Sequence, residues 1–149
     1  MLDTIDKKIL DILQENGRTK RSVLAEKVNL SLPSLSERLN KLEEKGIIEG
    51  YFTKVNRKAF GLDIMAFITV IMDSSKNYRD LTKHVQKTPE ILECHSVLGE
   101  GSHILKVLVK DTASLERLLS RIQSWPGVIR TLSSFVLSTI KETTKINIK

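Results

Sequence analysis

Residues 22–48 read SVLAEKVNLSLPSLSERLNKLEEKGII, and their spacing predicts two short helices joined by a tight turn and ended by a glycine. Val23, Leu24, Ala25 and Val28 fall on one face of the first helix, and Asn29 is a residue type that tolerates the turn. Ser31 is placed to cap the second helix, its hydroxyl accepting from a free backbone N–H. Pro33 stands in the first turn, where a missing N–H costs little. Leu35, Leu39 and Leu42 then recur at i, i+4 and i+7, which turns Ser34, Ser36, Glu37, Arg38 and Lys41 outward, and Gly46 is the expected stop. This is the pattern of a DNA-reading helix-turn-helix. From periodicity alone, any small three-helix bundle with a tight turn remains an alternative.

The flanks extend the same reading. Asp3 or Thr4 would cap a first helix whose stripe is Ile5, Ile9, Leu10, Ile12 and Leu13, with Gly17 as its stop. Beyond the third helix, IIEGYFTKV alternates apolar and polar residues around Gly50, the pattern of a short hairpin or wing. Residues 1–15 hold four acids against two lysines, whereas residues 16–62 hold ten Lys or Arg against five acids. The basic excess therefore follows the helix-turn-helix. Arg18, Lys20 and Arg21 precede its first helix, Arg38 and Lys41 lie on its second, and Lys54, Arg57 and Lys58 come after the wing. Groups so spaced would neutralise phosphates on both sides of a major groove, and a solvated surface is the plain alternative for any one lysine.

A chain of 149 residues has room for one compact domain or two small ones, and its 40% hydrophobic content suits a globular protein. No apolar run is long enough to span a bilayer, and the start MLDTIDKK lacks the apolar core of a signal peptide, so a cytoplasmic protein without a membrane partner is expected. Cys94 is the single cysteine and has no internal disulfide partner, which leaves stability to packing and oligomerisation.

Near Phe60-Gly61-Leu62-Asp63 the texture changes, and IMAFITVIM from Ile64 reads as a strand. A helix over residues 78–87, strands over 92–98 and 103–109, and a helix over 112–123 follow. A break at Trp125-Pro126-Gly127 then leads into a strand over 128–140. The order β-α-β-β-α-β is that of a ferredoxin-like sandwich, two helices on one face of an antiparallel sheet. The first strand is apolar on both sides, with Ile64, Ala66, Ile68, Val70 and Met72 on one and Met65, Phe67 and Ile71 on the other. Two helices cover one face only, so the other is expected to pair with a second copy. The expected class is α+β: a winged helix-turn-helix over 1–50, a wing or linker strand over 51–62, and an α/β domain over 63–149.

Several stretches together resemble the Lrp/AsnC family of bacterial and archaeal transcriptional regulators along essentially the whole chain. They are LDTIDKKIL with LQENGR, LAEKVNLS with SERLNKLEEKGIIEGY, AFGLD, PEILECHSVLGE, LKVLV, PGV and SFVLSTIK, in this order and spacing. The resemblance implies a protein that binds double-stranded operator DNA through its N-terminal head. The C-terminal domain would form homodimers, assemble to octamers and receive an amino acid or other small-molecule effector between subunits. No cofactor and no metal are implied. Ser34, Ser36, Glu37, Arg38 and Lys41, with Arg18, Lys20, Arg21 and Lys54, are the expected DNA contacts.

The turn that receives effectors in the family typically reads glycine, two variable residues, aspartate, then tyrosine or phenylalanine. Here the run is Gly99-Glu100-Gly101-Ser102-His103, so Ser102 replaces the acid and His103 the ring. A zwitterion would lose a charge-assisted contact worth about 1.5–3 kcal/mol, unless Glu100 compensates. Thr131 and Ser133 fall where the family often places hydroxyls lining the pocket. His103 would titrate near neutral pH unless its surroundings shift it.

Two enzyme readings fare less well. Cys94, His95 and His103 suggest a metal site, but adjacent strand residues point to opposite faces, so Cys94 and His95 would not share an ion. Sirohaem decarboxylases resemble this family too, yet the aromatic signature of their histidine-bearing hairpin is absent from Glu93-Cys94-His95-Ser96 and His103-Ile104-Leu105-Lys106. An interaction protein without DNA binding would need a damaged recognition helix, and none is visible.

Overall fold

The computed structural model describes residues 2–148 and divides into two compact units. One comprises the chain up to Lys54 together with the residues from Lys141 onward; the other is Val55–Ile140.

The first unit holds α1 (Thr4–Glu15), α2 (Arg21–Lys27) and α3 (Leu32–Glu44). Asp3 caps α1 in a reciprocal box with Asp6: the Asp6 N–H donates to Asp3 Oδ1 at 2.8 Å and the Asp3 N–H to Asp6 Oδ2 at 3.2 Å. The helix ends at Asn16, one residue before the glycine expected to stop it. Between α2 and α3 the backbone turns through Asn29, whose φ of 55° is left-handed, with the Leu30 N–H reaching the Ala25 carbonyl at 2.9 Å. The Ser31 hydroxyl accepts from the Ser34 N–H at 3.3 Å, which makes Ser31 the cap of the recognition helix. Gly46, at φ 65°, closes α3 while the Ile47 and Ile48 N–H groups return to the Leu42 carbonyl. Ile9, Leu24, Leu35, Leu39 and Leu42 form the centre of the core.

Two expectations change here. No hairpin forms at the wing among the described residues, since residues 49–56 belong to no helix or strand. The residues that would supply a return strand instead form a 3-10 turn, Arg57–Phe60. Residues 141–148, expected to continue the α/β domain, pack on the head, with Ile148 against its apolar core.

In the second unit, β1 (Ile64–Met72), α4 (Tyr78–Gln86), β2 (Ile91–Ser96), β3 (His103–Val109), α5 (Thr112–Gln123) and β4 (Val128–Phe135) follow the ferredoxin-like order. The sheet is β2-β3-β1-β4 and antiparallel throughout. β4 stops at Phe135, earlier than its sequence suggested, because Phe135 already pairs with Ala66 near the start of β1 and little of that strand remains beyond. Register puts Ala66, Ile68 and Val70 opposite Val107, Leu105 and His103, and this row packs under Leu81 of α4 and Leu118 and Ile122 of α5. The reverse face carries Met65, Phe67, Leu108, Ile104 and Leu132. Phe67 and Leu132 there are 37% and 41% exposed, so part of that apolar face has no cover.

Candidate functional site

Once Leu35, Leu39 and Leu42 point into the head core, the exposed side of α3 is fixed by helical geometry. Glu37, Lys41 and Glu44 run down its middle, with Pro33, Ser34 and Asn40 beside them, and all are exposed. Lys41 Nζ sits 2.6 Å from Glu37 Oε1, an i,i+4 pair that holds the lysine head over the exposed surface. Ser34 also receives the Ser31 hydroxyl hydrogen at 2.9 Å. Sequence reasoning passed over Asn40, although it adjoins Lys41 on the open side. Its amide makes no hydrogen bond among the described residues.

Two of the nominated residues lie on the flanks. Ser36 accepts from Arg21 Nη1 at 3.4 Å and is half-buried on the α2 side. Arg38 turns to the α1 side, where its Nη1 bonds Asp3 Oδ2 at 2.6 Å and Asp6 Oδ1 at 2.8 Å. The Asp6 amide, and then this guanidinium, hold the Asp3 carboxyl below its ordinary value. Arg38, expected to face outward, is thus half-buried on the α1 flank of the helix, where the capping carboxylates claim its guanidinium. Arg18, Lys20 and Arg21 are exposed at the entry to α2. Lys54 is exposed and paired with Glu142 at 2.7 Å.

The nominated effector residues converge on one row of the second unit. Val70 of β1 pairs with His103 on one side and Thr131 on the other, so these side chains share a face of the sheet. Ser133 lies two residues along on the same face, opposite Ile68. The Ser102 N–H donates to the Val70 carbonyl at 3.0 Å, and its hydroxyl lies 3.3 Å from that oxygen and 2.8 Å from His103 Nδ1. Gly101 must be glycine, since a Cβ there would stand 2.4 Å from the Thr69 methyl and 3.0 Å from the Val70 carbonyl oxygen. Gly99 and Glu100 are exposed at the tip. Thr131 Oγ1 accepts from Gln123 Nε2 of α5 at 3.0 Å.

His103 is 8% exposed, with the Tyr78 ring edge-on to it at 4.8 Å. Burial pushes its imidazole below the ordinary histidine value. The surroundings thus do shift it from the neutral range the sequence allowed, since burial favours the uncharged ring. Cys94 lies on the core face opposite Leu105 while His95 pairs with Ile104 on the reverse face, and burial raises the Cys94 thiol.

Comparison with known proteins follows these two regions. Residues 2–49 match the winged helix-turn-helix DNA-binding family, and residues 65–146 match the Lrp/AsnC ligand binding domain. The HTH-type transcriptional regulator FL11 of Pyrococcus horikoshii is 35% identical over 99% of this chain and 97% of its own length. The leucine-responsive regulatory protein of Escherichia coli is 32% identical over 99% of this chain and 92% of its own. Among solved structures, the transcriptional regulator NMB0573/L-Met complex from Neisseria meningitidis superposes with a TM-score of 0.93 at 36% identity, covering 99% of this chain and 97% of that one. The chain belongs to the Lrp/AsnC family: it is a DNA-binding transcriptional regulator whose helix-turn-helix head precedes a ligand-binding α/β domain.

Proposed function

We propose that the exposed side of α3 enters the major groove and that Ser34, Glu37, Asn40 and Lys41 meet the bases, with Arg18, Lys20, Arg21, Ser36 and Lys54 on the flanking phosphates. The observation that carries this reading is the exposed row on α3, whose donors and acceptors point away from the head core. Asparagine presents the donor and acceptor that match an adenine edge, and lysine matches guanine or phosphate. Arg38 supports the helix instead, through its two bonds to the α1 cap. Selection of binding sites from a random-sequence duplex pool, repeated with Asn40→Ala and Lys41→Ala, tests the assignment. Altered base preference at one position per substitution is the expected result; unchanged preference in both variants refutes it.

The protein works in the cytoplasm as a homodimer that assembles to an octamer, and as a regulator rather than an enzyme. The uncovered apolar side chains Phe67 and Leu132 support pairing of two sheets. Two heads would then address half-sites about one helical turn apart, ~10 base pairs, or a multiple of it. A colourless purified protein without tetrapyrrole absorption on titration is expected; a tetrapyrrole complex would favour the decarboxylase reading.

The effector reading assigns the turn from Gly99 to His103, with Thr131 and Ser133, to half of a pocket completed by another subunit. The relative solved with L-Met suggests an amino acid as the ligand class. In this chain, however, the Ser102 hydroxyl is spent on the Val70 carbonyl and His103. An ammonium group therefore meets no carboxylate at that position, and a ligand of different charge pattern is expected to bind better. Calorimetric titration with the common amino acids checks this: tight binding of a neutral amino acid that is abolished by Ser102→Ala contradicts it.

A further inference from the structure

The head is built from two separate stretches, residues 2–54 and 141–148. Lys145 Nζ lies 3.3 Å from Asp11 Oδ1 and also bonds Glu15, one turn further along α1. Between these acids, Gln14 grips the main chain of Ile146 with both ends of its amide. The Ile146 N–H donates to Gln14 Oε1 at 2.7 Å, and Gln14 Nε2 donates to the Ile146 carbonyl at 3.1 Å. Such a two-point grip fixes the register of an extended segment to one residue, much as a neighbouring strand would. Lys54 reaches Glu142 at 2.7 Å, and Ile148 packs against the core of Ile9 and Leu24. Charge complements the geometry, since residues 141–149 carry three lysines and one acid while residues 1–15 carry four acids and two lysines.

The topological consequence is that two covalent connections lead into the head, at residues 54–55 and 140–141. The first lies within residues 49–56, whose backbone belongs to no helix or strand. The second continues from β4, the strand bearing Thr131 and Ser133. A head held by one irregular link samples many orientations, and closing a second link removes most of them.

We propose that residues 141–148 are a second tether of the DNA-binding head, and that Gln14 and Lys145 are positioning residues which raise the effective concentration of one head at its half-site once the other is bound. The tether rests on the reading of paired heads given above. Its action is on avidity, so it does not alter what one head reads.

The test uses the full-length protein and duplexes carrying one or two copies of the half-site that this protein itself selects from random-sequence DNA. Gln14→Ala removes the grip without changing charge, and Lys145→Glu turns the ion pairs repulsive. Each is expected to weaken binding to the two-site duplex by about threefold to tenfold, while single-site binding stays within about twofold. The swap Lys145→Glu/Glu15→Lys keeps the net charge of the intact chain and restores one of the two ion pairs, so it should recover part of the loss. A chain ending at Ile140 should lose at least as much two-site binding, and the point variants decide the matter if that truncation unfolds the head. Equal losses on both duplexes, or no loss on either, overturn the tether. An intact protein that binds one-site and two-site duplexes equally well overturns the paired-head reading instead, and the tether falls with it.

Discussion

Around the eight buried apolar residues of the head, ion pairs do much of the positioning: Arg38 on Asp3 and Asp6, Lys41 on Glu37, Lys54 on Glu142, Lys145 on Asp11 and Glu15. The unit Val55–Ile140 instead buries eleven apolar residues between one sheet face and two helices, and leaves large side chains uncovered on the other face. Exposed ion pairs are screened by salt, and DNA phosphates compete for the same cations. Apolar surface is indifferent to salt but rewards association. Ionic strength therefore governs the head, and protein concentration the sheet.

The strongest way to break this contrast is to empty one core and watch the other. Ile68 is fully buried, and Ile68→Ala should cost the second unit about 2–5 kcal/mol. Trp125, the only tryptophan, packs in that core, so its fluorescence during denaturation reports the second unit. Leu39→Ala should cost the head a similar amount and leave the Trp125 transition in place. Movement of that transition by Leu39→Ala would mean that the two cores melt as one.

Next in size is the uncovered sheet face. Replacing a large buried apolar side chain by a charge forfeits about 1.5–3 kcal/mol of burial per protomer, before any penalty for the charge itself. Phe67→Asp should therefore yield monomers in sedimentation at micromolar concentration, with the Trp125 environment retained. A dimer that survives Phe67→Asp and Leu132→Asp together would place the interface elsewhere.

Within the head, Asn40→Ala and Arg38→Ala should separate reading from support. A base-reading side chain is worth about 1–3 kcal/mol of discrimination at its position, so Asn40→Ala should relax specificity there. Arg38→Ala should weaken binding to every sequence alike, and by less, and its effect on head stability should fade at high salt, as expected for exposed pairs. Binding assays on operator variants at two salt concentrations distinguish the patterns. Relaxed specificity in Arg38→Ala would restore it to the bases.

Much of this was legible in the sequence because local rules governed it. Caps at Asp3 and Ser31, the turn at Asn29, the stop at Gly46 and the alternation of β1 each need only neighbours in the chain. Illegible features were those decided by partners far along the chain. Nothing near Arg38 announces that Asp3 and Asp6 would claim it, and nothing in KINI announces that Gln14, 132 residues upstream of Ile146, holds its backbone. Stretches read as wing or strand failed for the same reason: residues 49–56 and 136–140 belong to no strand, because a strand needs a partner at the right register.

His103 shows how placement reverses an electrostatic expectation, and it sets the smallest predicted effect. A histidine in a hairpin invites the idea of a cation gripping an anionic effector in mild acid. Burial beside Tyr78 lowers its pKa, whereas the unfolded chain protonates it near the ordinary 6.5. The unfolded state thus binds the proton first, so this group's contribution to stability is complete above about pH 6.5 and is lost as pH falls from there through the lowered folded value. His103→Gln keeps a polar partner for the Ser102 hydroxyl and removes the titration. Denaturation midpoints at about pH 7.5 and about pH 5.0, above and below the ordinary histidine value, should differ less in His103→Gln than in the natural protein. Equal pH sensitivity in the two would mean that the ring is protonated in the folded chain and available to an anion after all.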